Sequence, residues 1–256
     1  RDRKILAKRI KTLLDQYGVP EFLNKRDAFL FKMYQAFGHH FDFIAIPIIK
    51  KRLRMDTSQV IINEERPQLT KHLATRFKEK IGQNVNLLGE VVLGNEEADH
   101  RYHHYLEALE SPDINYISVK ISGIYAQTHA LNYEESFPEL VSRMSALYQK
   151  AIDFPYTDED GIKRSKFINL DMEEYKDAHF TLRLFKAVLN LPQFKNYSAG
   201  IVVQAYLPDA YDFQTELLEF AKARIDGGGA PIKMRLVKGC NLEMETVISS
   251  LKGWPN

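Results

Sequence analysis

Lys120 stands in the middle of an apolar run, Tyr116-Ile117-Ser118-Val119-Lys120-Ile121-Ser122. The two-residue period of a strand puts Ser118, Lys120 and Ser122 on one face. A lysine inside such a strand is rarely buried without a negative partner, so it should meet an anionic ligand or a nearby carboxylate, a structural ion pair being the plainer alternative. In a second run, Phe167-Ile168-Asn169-Leu170-Asp171, the residues Phe167, Asn169 and Asp171 share a face. Met172-Glu173-Glu174-Tyr175 follow and read as the first turn of a helix, with Asp171 its N-cap and Glu174 completing a capping box. A cap and an active-site carboxylate are compatible roles.

A third run, Gly200-Ile201-Val202-Val203-Gln204-Ala205-Tyr206, brings Gln204 and Tyr206 to one face. The neutral amide of Gln204 offers both a donor and an acceptor, which suits a ring edge where donors and acceptors alternate. The fourth, Ile232-Lys233-Met234-Arg235-Leu236-Val237-Lys238-Gly239, aligns Lys233, Arg235 and Val237, with Lys238 and Gly239 opening the next loop. Arg235 in a strand needs an acceptor, and Gly239 permits close backbone approach to a bound group. Three other signals take the bland reading. His100, His103 and His104 have helical spacing but no His-Glu-x-x-His pattern, so no metal is expected. Cys240 lacks a Cys/His arrangement and reads as a small space-filling residue. The glycines at 227–229 read as a flexible connection.

The elements that must position these residues follow from the pattern around them. Strands are expected at 86–91, 116–122, 167–170, 200–206 and 232–237, with helices near 96–110, 133–153, 172–189 and 211–225. Strand-to-strand spacings of roughly 30 to 45 residues leave room for one crossover helix each, which implies parallel strands with right-handed connections. Leu88-Gly89-Glu90-Val91-Val92-Leu93-Gly94 has neither dinucleotide-fold nor P-loop glycine spacing, so an α/β barrel of the (β/α)8 type is the better choice. In such a barrel functional groups sit at the C-terminal ends of the strands. Residues 1–80 read as a helical arm, and 81–256 as about five β/α units of the barrel. Within the arm, Phe29, Leu30, Met33, Tyr34 and Phe37 form an apolar stripe that should dock on the rest of the protein. The basic run Lys50, Lys51, Arg52, Arg54 would suit anionic lipid headgroups at a membrane surface, although a solvated helix face is the favoured reading.

Composition narrows the function classes. The 256 residues are 45% hydrophobic and 27% charged, enough to bury the core of a large domain. Lys and Arg number 35 against 34 Asp and Glu, so nucleic acid is not expected as a partner. The single cysteine excludes an intrachain disulfide and favours a reducing compartment such as the cytoplasm. The longest apolar run, 41–49, contains Asp42 and Pro47 and is too short to span a membrane. The chain opens on Arg1 without a signal-peptide pattern and reads as an excerpt of something longer.

The ordered set Val119-Lys120-Ile121-Ser122, Leu170-Asp171-Met172-Glu173-Glu174, Val203-Gln204-Ala205-Tyr206 and Arg235-Leu236-Val237-Lys238-Gly239 resembles the FAD-dependent proline dehydrogenase family. Leu88-Gly89-Glu90 looks like that family's first strand, and Gly253-Trp254-Pro255 like the turn leading to its sixth. Asn169 to Tyr175 and Asn241-Leu242-Glu243-Met244-Glu245 most resemble bifunctional proline utilization proteins, which join this domain to a pyrroline-5-carboxylate dehydrogenase. The resemblance implies a distorted (β/α)8 barrel that binds FAD noncovalently and oxidises L-proline to Δ1-pyrroline-5-carboxylate, a quinone reoxidising the flavin. It implies that Lys120 helps hold the substrate carboxylate and that Asp171 lies near substrate and flavin. Gln204 and Arg235 would contact the isoalloxazine ring, and Val237, Lys238 and Gly239 would form the cofactor-binding loop.

There are departures from the family pattern. Cys240-Asn241-Leu242 replaces the Ala-Tyr-Trp of many members, so Asn241 stands where a tyrosine lies over the substrate. That keeps hydroxyproline open as an alternative cyclic amine. The family's paired arginines, its Thr-Lys motif and its later histidine would fall beyond Asn256, so the isolated chain is expected to hold flavin poorly and turn over little proline. A non-catalytic half barrel that serves as an interaction module is the competing reading.

Overall fold

The computed structural model describes residues 2–21, 23–37, 42–57, 61–62, 66–87, 92, 94–126, 132–239 and 241–254. The chain divides into two compact units, Arg1–Lys71 and His72–Asn256. In the first, α1 (Asp2–Tyr17), α2 (Lys25–Phe37) and α3 (Asp42–Thr57) surround a small core of Ala7, Leu14, Tyr34 and Ile46. Tyr34 satisfies its hydroxyl by donating to Ala7 O at 3.1 Å. The expected apolar stripe is mostly not buried: Tyr34 is, but Phe29, Leu30, Met33 and Phe37 are exposed. Helix periodicity identifies a face without saying what covers it. Helix α3 continues through Pro47 instead of breaking there. Helix α4 (Arg66–Lys78) spans the division between units.

The second unit is built on a five-stranded sheet: β1 (Val85–Asn86), β2 (Tyr116–Lys120), β5 (Phe167–Asp171), β6 (Gly200–Gln204) and β7 (Lys233–Val237), all parallel. A separate antiparallel hairpin joins β3 (Tyr156–Thr157) and β4 (Lys163–Arg164). The parallel strands lie side by side in chain order. That order has no reversal point, as in the arc of a β/α barrel and unlike a doubly wound sheet. Between the strands run α5 (Asn95–Glu110), α6 (Tyr133–Asp153), α7 (Ala178–Leu189) and α8 (Ala210–Asp226), and α9 (Leu242–Lys252) follows β7. Among the described residues no helix is long and apolar enough to cross a membrane.

The two faces of the sheet are chemically opposite. Ile117, Val119, Ile168, Leu170, Ile201 and Val203 point to the helix-covered face and are essentially inaccessible. Leu184, Phe185 and Val188 of α7 and Leu140, Met144 and Leu147 of α6 are buried as well. Each such side chain contributes about 1.5–3 kcal/mol of hydrophobic stabilisation, which fixes the strand faces. The other face carries Ser118, Lys120, Asn169, Asp171, Gly200, Val202, Gln204, Lys233, Arg235 and Val237. Gly200 makes room there, since a Cβ at that position would stand 2.6 Å from Asn169 Oδ1.

Several expected boundaries move: β2 ends at Lys120, leaving Ser122 in a 3-10 turn at Ile121–Gly123 instead of on the strand. Helix α7 starts at Ala178 instead of 172, after a 3-10 turn at Tyr175–Asp177. Asp171 is therefore the last residue of β5 and forms no capping box; the N-cap position belongs to Asp177. Strand β6 ends at Gln204, leaving Tyr206 in the turn. Strand β1 is described only at Val85–Asn86. The family-like Leu88-Gly89-Glu90 segment, Cys240 and Pro255 lie outside the described residues.

Candidate active site

Parallel pairing lines up the polar side chains. Ser118 pairs with Asn169 and Lys120 with Asp171 across β2 and β5. Asn169 pairs with Gly200, which sets Asp171 level with Val202, and Val202 pairs with Arg235. Lys120, Asp171 and Arg235 thus form one row near the C-terminal strand ends. Gln204 pairs with Val237 one pleat further on.

Asp171 is the centre of this row. Its Oδ1 accepts from Asn169 Nδ2 at 2.7 Å and from Ser118 Oγ at 3.1 Å, and its Oδ2 from Asn86 Nδ2 at 3.4 Å. Arg235 Nη2 lies 3.7 Å from Oδ1, an ion pair too long to be a hydrogen bond. Burial raises the Asp171 pKa above the ordinary aspartate value, opposed first by Arg235 and then by the Ser118, Asn169 and Lys120 contributions. The carboxylate is therefore desolvated yet surrounded by donors.

Lys120 does not pair with the carboxylate beside it. Its Nζ contacts Glu173 Oε1 at 2.7 Å, and Ser122 Oγ donates to Glu173 Oε2 at 2.5 Å. A lysine on a strand needs an anion, and the expected helix start at Met172 puts Glu173 on a helix instead of opposite Lys120. Continuing the alternation of β5 by two residues would have put Glu173 on the Asp171 face.

Gln204 is 1% exposed. Its Nε2 donates to Met172 O and Glu173 O, both at 3.1 Å, so the amide nitrogen holds the segment after β5. Its Oε1 is approached by the Tyr206 hydroxyl at 3.4 Å. Asn241, just before α9, donates Nδ2 to Glu173 O at 2.8 Å. Tyr175 N donates to Glu245 Oε1 at 2.8 Å, and Tyr175 OH to Asp209 Oδ2 at 2.5 Å. The segment Met172–Asp177 is thus fastened by side chains from several β/α units, a feature local sequence patterns do not reveal.

Val237 ends β7, Lys238 is exposed and Gly239 has φ +106°. A Cβ on Gly239 would lie 1.9 Å from Tyr206 Cδ1, so the space beside this glycine is filled by the tyrosine ring. The structure therefore brings Lys120, Asp171, Gln204, Arg235 and Asn241 to one end of the sheet, with Val237, Lys238 and Gly239 alongside. His100 and His104 stack in tilted fashion at 4.3 Å between centroids. Among the described residues no group of His, Cys, Asp and Glu is placed to hold a metal ion.

The proline dehydrogenase family model matches residues 69–256. Over its whole length the chain is similar to proline utilization A from Corynebacterium freiburgense, with 35% identity and a TM-score of 0.72, and it spans 22% of that chain. It is likewise similar over 100% of its length to proline utilization A from Bdellovibrio bacteriovorus inactivated by N-propargylglycine. There the identity is 27%, the TM-score 0.69 and the share of that chain 26%. A Bradyrhizobium japonicum proline utilization A shares the fold at 24% identity and a TM-score of 0.56, over 66% of this chain and 17% of that one. No curated protein matches the chain.

Proposed function

The chain belongs to the proline dehydrogenase family, and we propose that its strand ends form part of a site at which L-proline is oxidised to Δ1-pyrroline-5-carboxylate with FAD as the cofactor. The observation that carries this reading is the row of Lys120, Asp171 and Arg235 on one sheet face, with Gln204 one pleat beyond. In this reading residues 81–256 carry the site and residues 1–80 form a helical arm.

The donor set fits a flavin through Arg235. Arg235 offers a guanidinium with 39% of its side chain accessible, whereas Gln204 is buried, with its amide oxygen facing the Tyr206 hydroxyl. Bound FAD would supply the two-electron acceptor for a hydride from the proline ring carbon beside nitrogen. Arg235 supplies fixed positive charge where negative charge accumulates, which is electrostatic preorganisation. Lys120 holds the substrate carboxylate, and Asp171 presents its own carboxylate to the ring nitrogen, which gives up a proton so that its lone pair can form the C=N bond as the hydride leaves the neighbouring carbon. Val237, Lys238 and Gly239 line the cofactor side, and Asn241 borders the substrate. A quinone that reoxidises the flavin, peripheral contact with a membrane and a pyrroline-5-carboxylate dehydrogenase domain in the same polypeptide belong to the same proposal. The similarity to proline utilization A proteins supports the last of these.

Anaerobic mixing of the flavin-loaded protein with L-proline, followed by loss of flavin absorbance, tests the reading. Arg235→Ala should slow that bleaching by about 10²–10³-fold. No bleaching in a full-length protein that carries this segment and holds its flavin, or equal bleaching in its variant, would reject it.

A further inference from the structure

Two cations and two carboxylates meet at these strand ends, and they are sorted in an unexpected way. Register sets Lys120 directly beside Asp171. The ammonium nevertheless reaches past it to Glu173 at 2.7 Å, while Asp171 is engaged by Asn169, Ser118 and Asn86 and lies 3.7 Å from Arg235.

Glu173 is anchored at both ends. Its backbone oxygen accepts from Gln204 Nε2 at 3.1 Å and from Asn241 Nδ2 at 2.8 Å. Each carboxylate oxygen has its own donor, Lys120 on one and Ser122 on the other. A group held this way has its rotamer fixed, whereas a lysine on its four-carbon stem has several to choose from. The ammonium has three donors, and the Glu173 contact takes one of them. What remains points from a defined position.

We propose that Glu173 is a positioning residue: it holds the Lys120 ammonium at the strand end so that its remaining donors receive the carboxylate of the substrate. This rests on the reading of Lys120 as the carboxylate-holding group. It adds that affinity for the substrate depends on a second residue that never touches it, and that the anchors of Glu173, Gln204 and Asn241 bear on affinity through the same path.

The test is a double-mutant cycle in the flavin-loaded protein, with KM and kcat for L-proline measured in the parent, Glu173→Ala, Glu173→Gln, Lys120→Met and Lys120→Met/Glu173→Ala proteins. Glu173→Ala should raise KM about tenfold and change kcat less than about threefold. Glu173→Gln should raise KM less, because its amide oxygen still accepts from Lys120. In the Lys120→Met background, Glu173→Ala should change KM less than about twofold. A KM effect that persists undiminished without Lys120, or a collapse of kcat at constant KM, overturns the proposal.

A second arm needs no turnover. Amine-directed acylation of Lys120, followed by mass spectrometry, should be about fivefold faster in Glu173→Ala than in the parent, and an unchanged rate overturns the proposal. If the parent fails to reduce its flavin with proline, the functional reading falls, and the acylation rates still decide whether Glu173 holds Lys120.

Discussion

A single methyl group at Gly239 tests the strand-end geometry directly. Gly239 follows β7 with φ +106°, and a Cβ there would stand 1.9 Å from Cδ1 and 2.0 Å from Cε1 of Tyr206. Two costs arise. An L-residue at positive φ costs about 1–2 kcal/mol, and forcing a methyl into filled space costs about 1–3 kcal/mol more. Gly239→Ala should therefore lose about 2–5 kcal/mol, a fall in Tm of roughly 4–20 °C for a protein of this size. Gly228→Ala isolates the backbone cost, because Gly228 has φ +73° and the nearest atom to its Cβ would be Lys195 Nζ at 3.9 Å. That variant should lose only about 1–2 kcal/mol. Thermal unfolding followed by far-UV circular dichroism gives both values. Combining Gly239→Ala with Tyr206→Ala should show a coupling of about 1–3 kcal/mol, since removing the ring relieves the clash and leaves the backbone strain. If Gly239→Ala is no worse than Gly228→Ala, or the coupling is zero, the contact between this glycine and Tyr206 is not the one described.

Gln204→Leu should destabilise the protein by about 2–3 kcal/mol, because the Met172 and Glu173 carbonyls lose a buried donor, and amide exchange across 172–177 should accelerate; protection left unchanged in that segment would contradict the clamp. Lys166 is 2% exposed and donates to Ser111 O at the end of α5, and burial lowers its pKa to about 8 from the ordinary 10.5. Between those values the folded protein binds fewer protons than the unfolded chain, so stability rises with pH across that window. Lys166→Met lacks this slope, and urea midpoints at about pH 7.5 and 9.5 should move in favour of the parent as pH rises; parallel shifts in both proteins would refute the assignment.

The alternation of strands and helices was legible because both elements bury one face. Ile201-Val202-Val203 reads as a covered strand, and the spacing of Leu182, Phe185 and Leu189 as a helix with an apolar side. The expected 133–153 helix coincides with α6. What was not legible is the course of 172–177. Met, Glu, Glu, Tyr and Lys are acceptable helix residues, so local propensity starts α7 six residues early. Tertiary bonds override it: the Glu173 carbonyl is taken by Gln204 and Asn241, and the Tyr175 N–H by Glu245. Those partners lie from about 30 to 70 residues away in the chain, beyond the reach of any local pattern. The same error hid Glu173, because a residue placed on a helix is not asked which strand face it shares. On α2 the stripe was visible but the exposure of Phe29, Leu30, Met33 and Phe37 was not, since periodicity carries no information about the covering partner.

The chemistry of the strand ends depends on register more than on any single residue. Moving β5 by one position against β2 would turn Asn169 and Asp171 toward the helices and bring Ile168 and Leu170 to the polar face. That slip would bury a carboxylate among apolar side chains with no donor, at a cost far above that of losing a surface charge. The apolar residues that seal the helix side therefore also select the arrangement in which Lys120 meets Glu173 and Asp171 faces Arg235. It follows that the carboxylate row and the apolar face are one specification read from two sides. Core substitutions that loosen the β2–β5 pairing should disturb the Lys120 and Arg235 ion pairs before they unfold the sheet, because those pairs are partly exposed and weak on their own, while the apolar face carries the free energy.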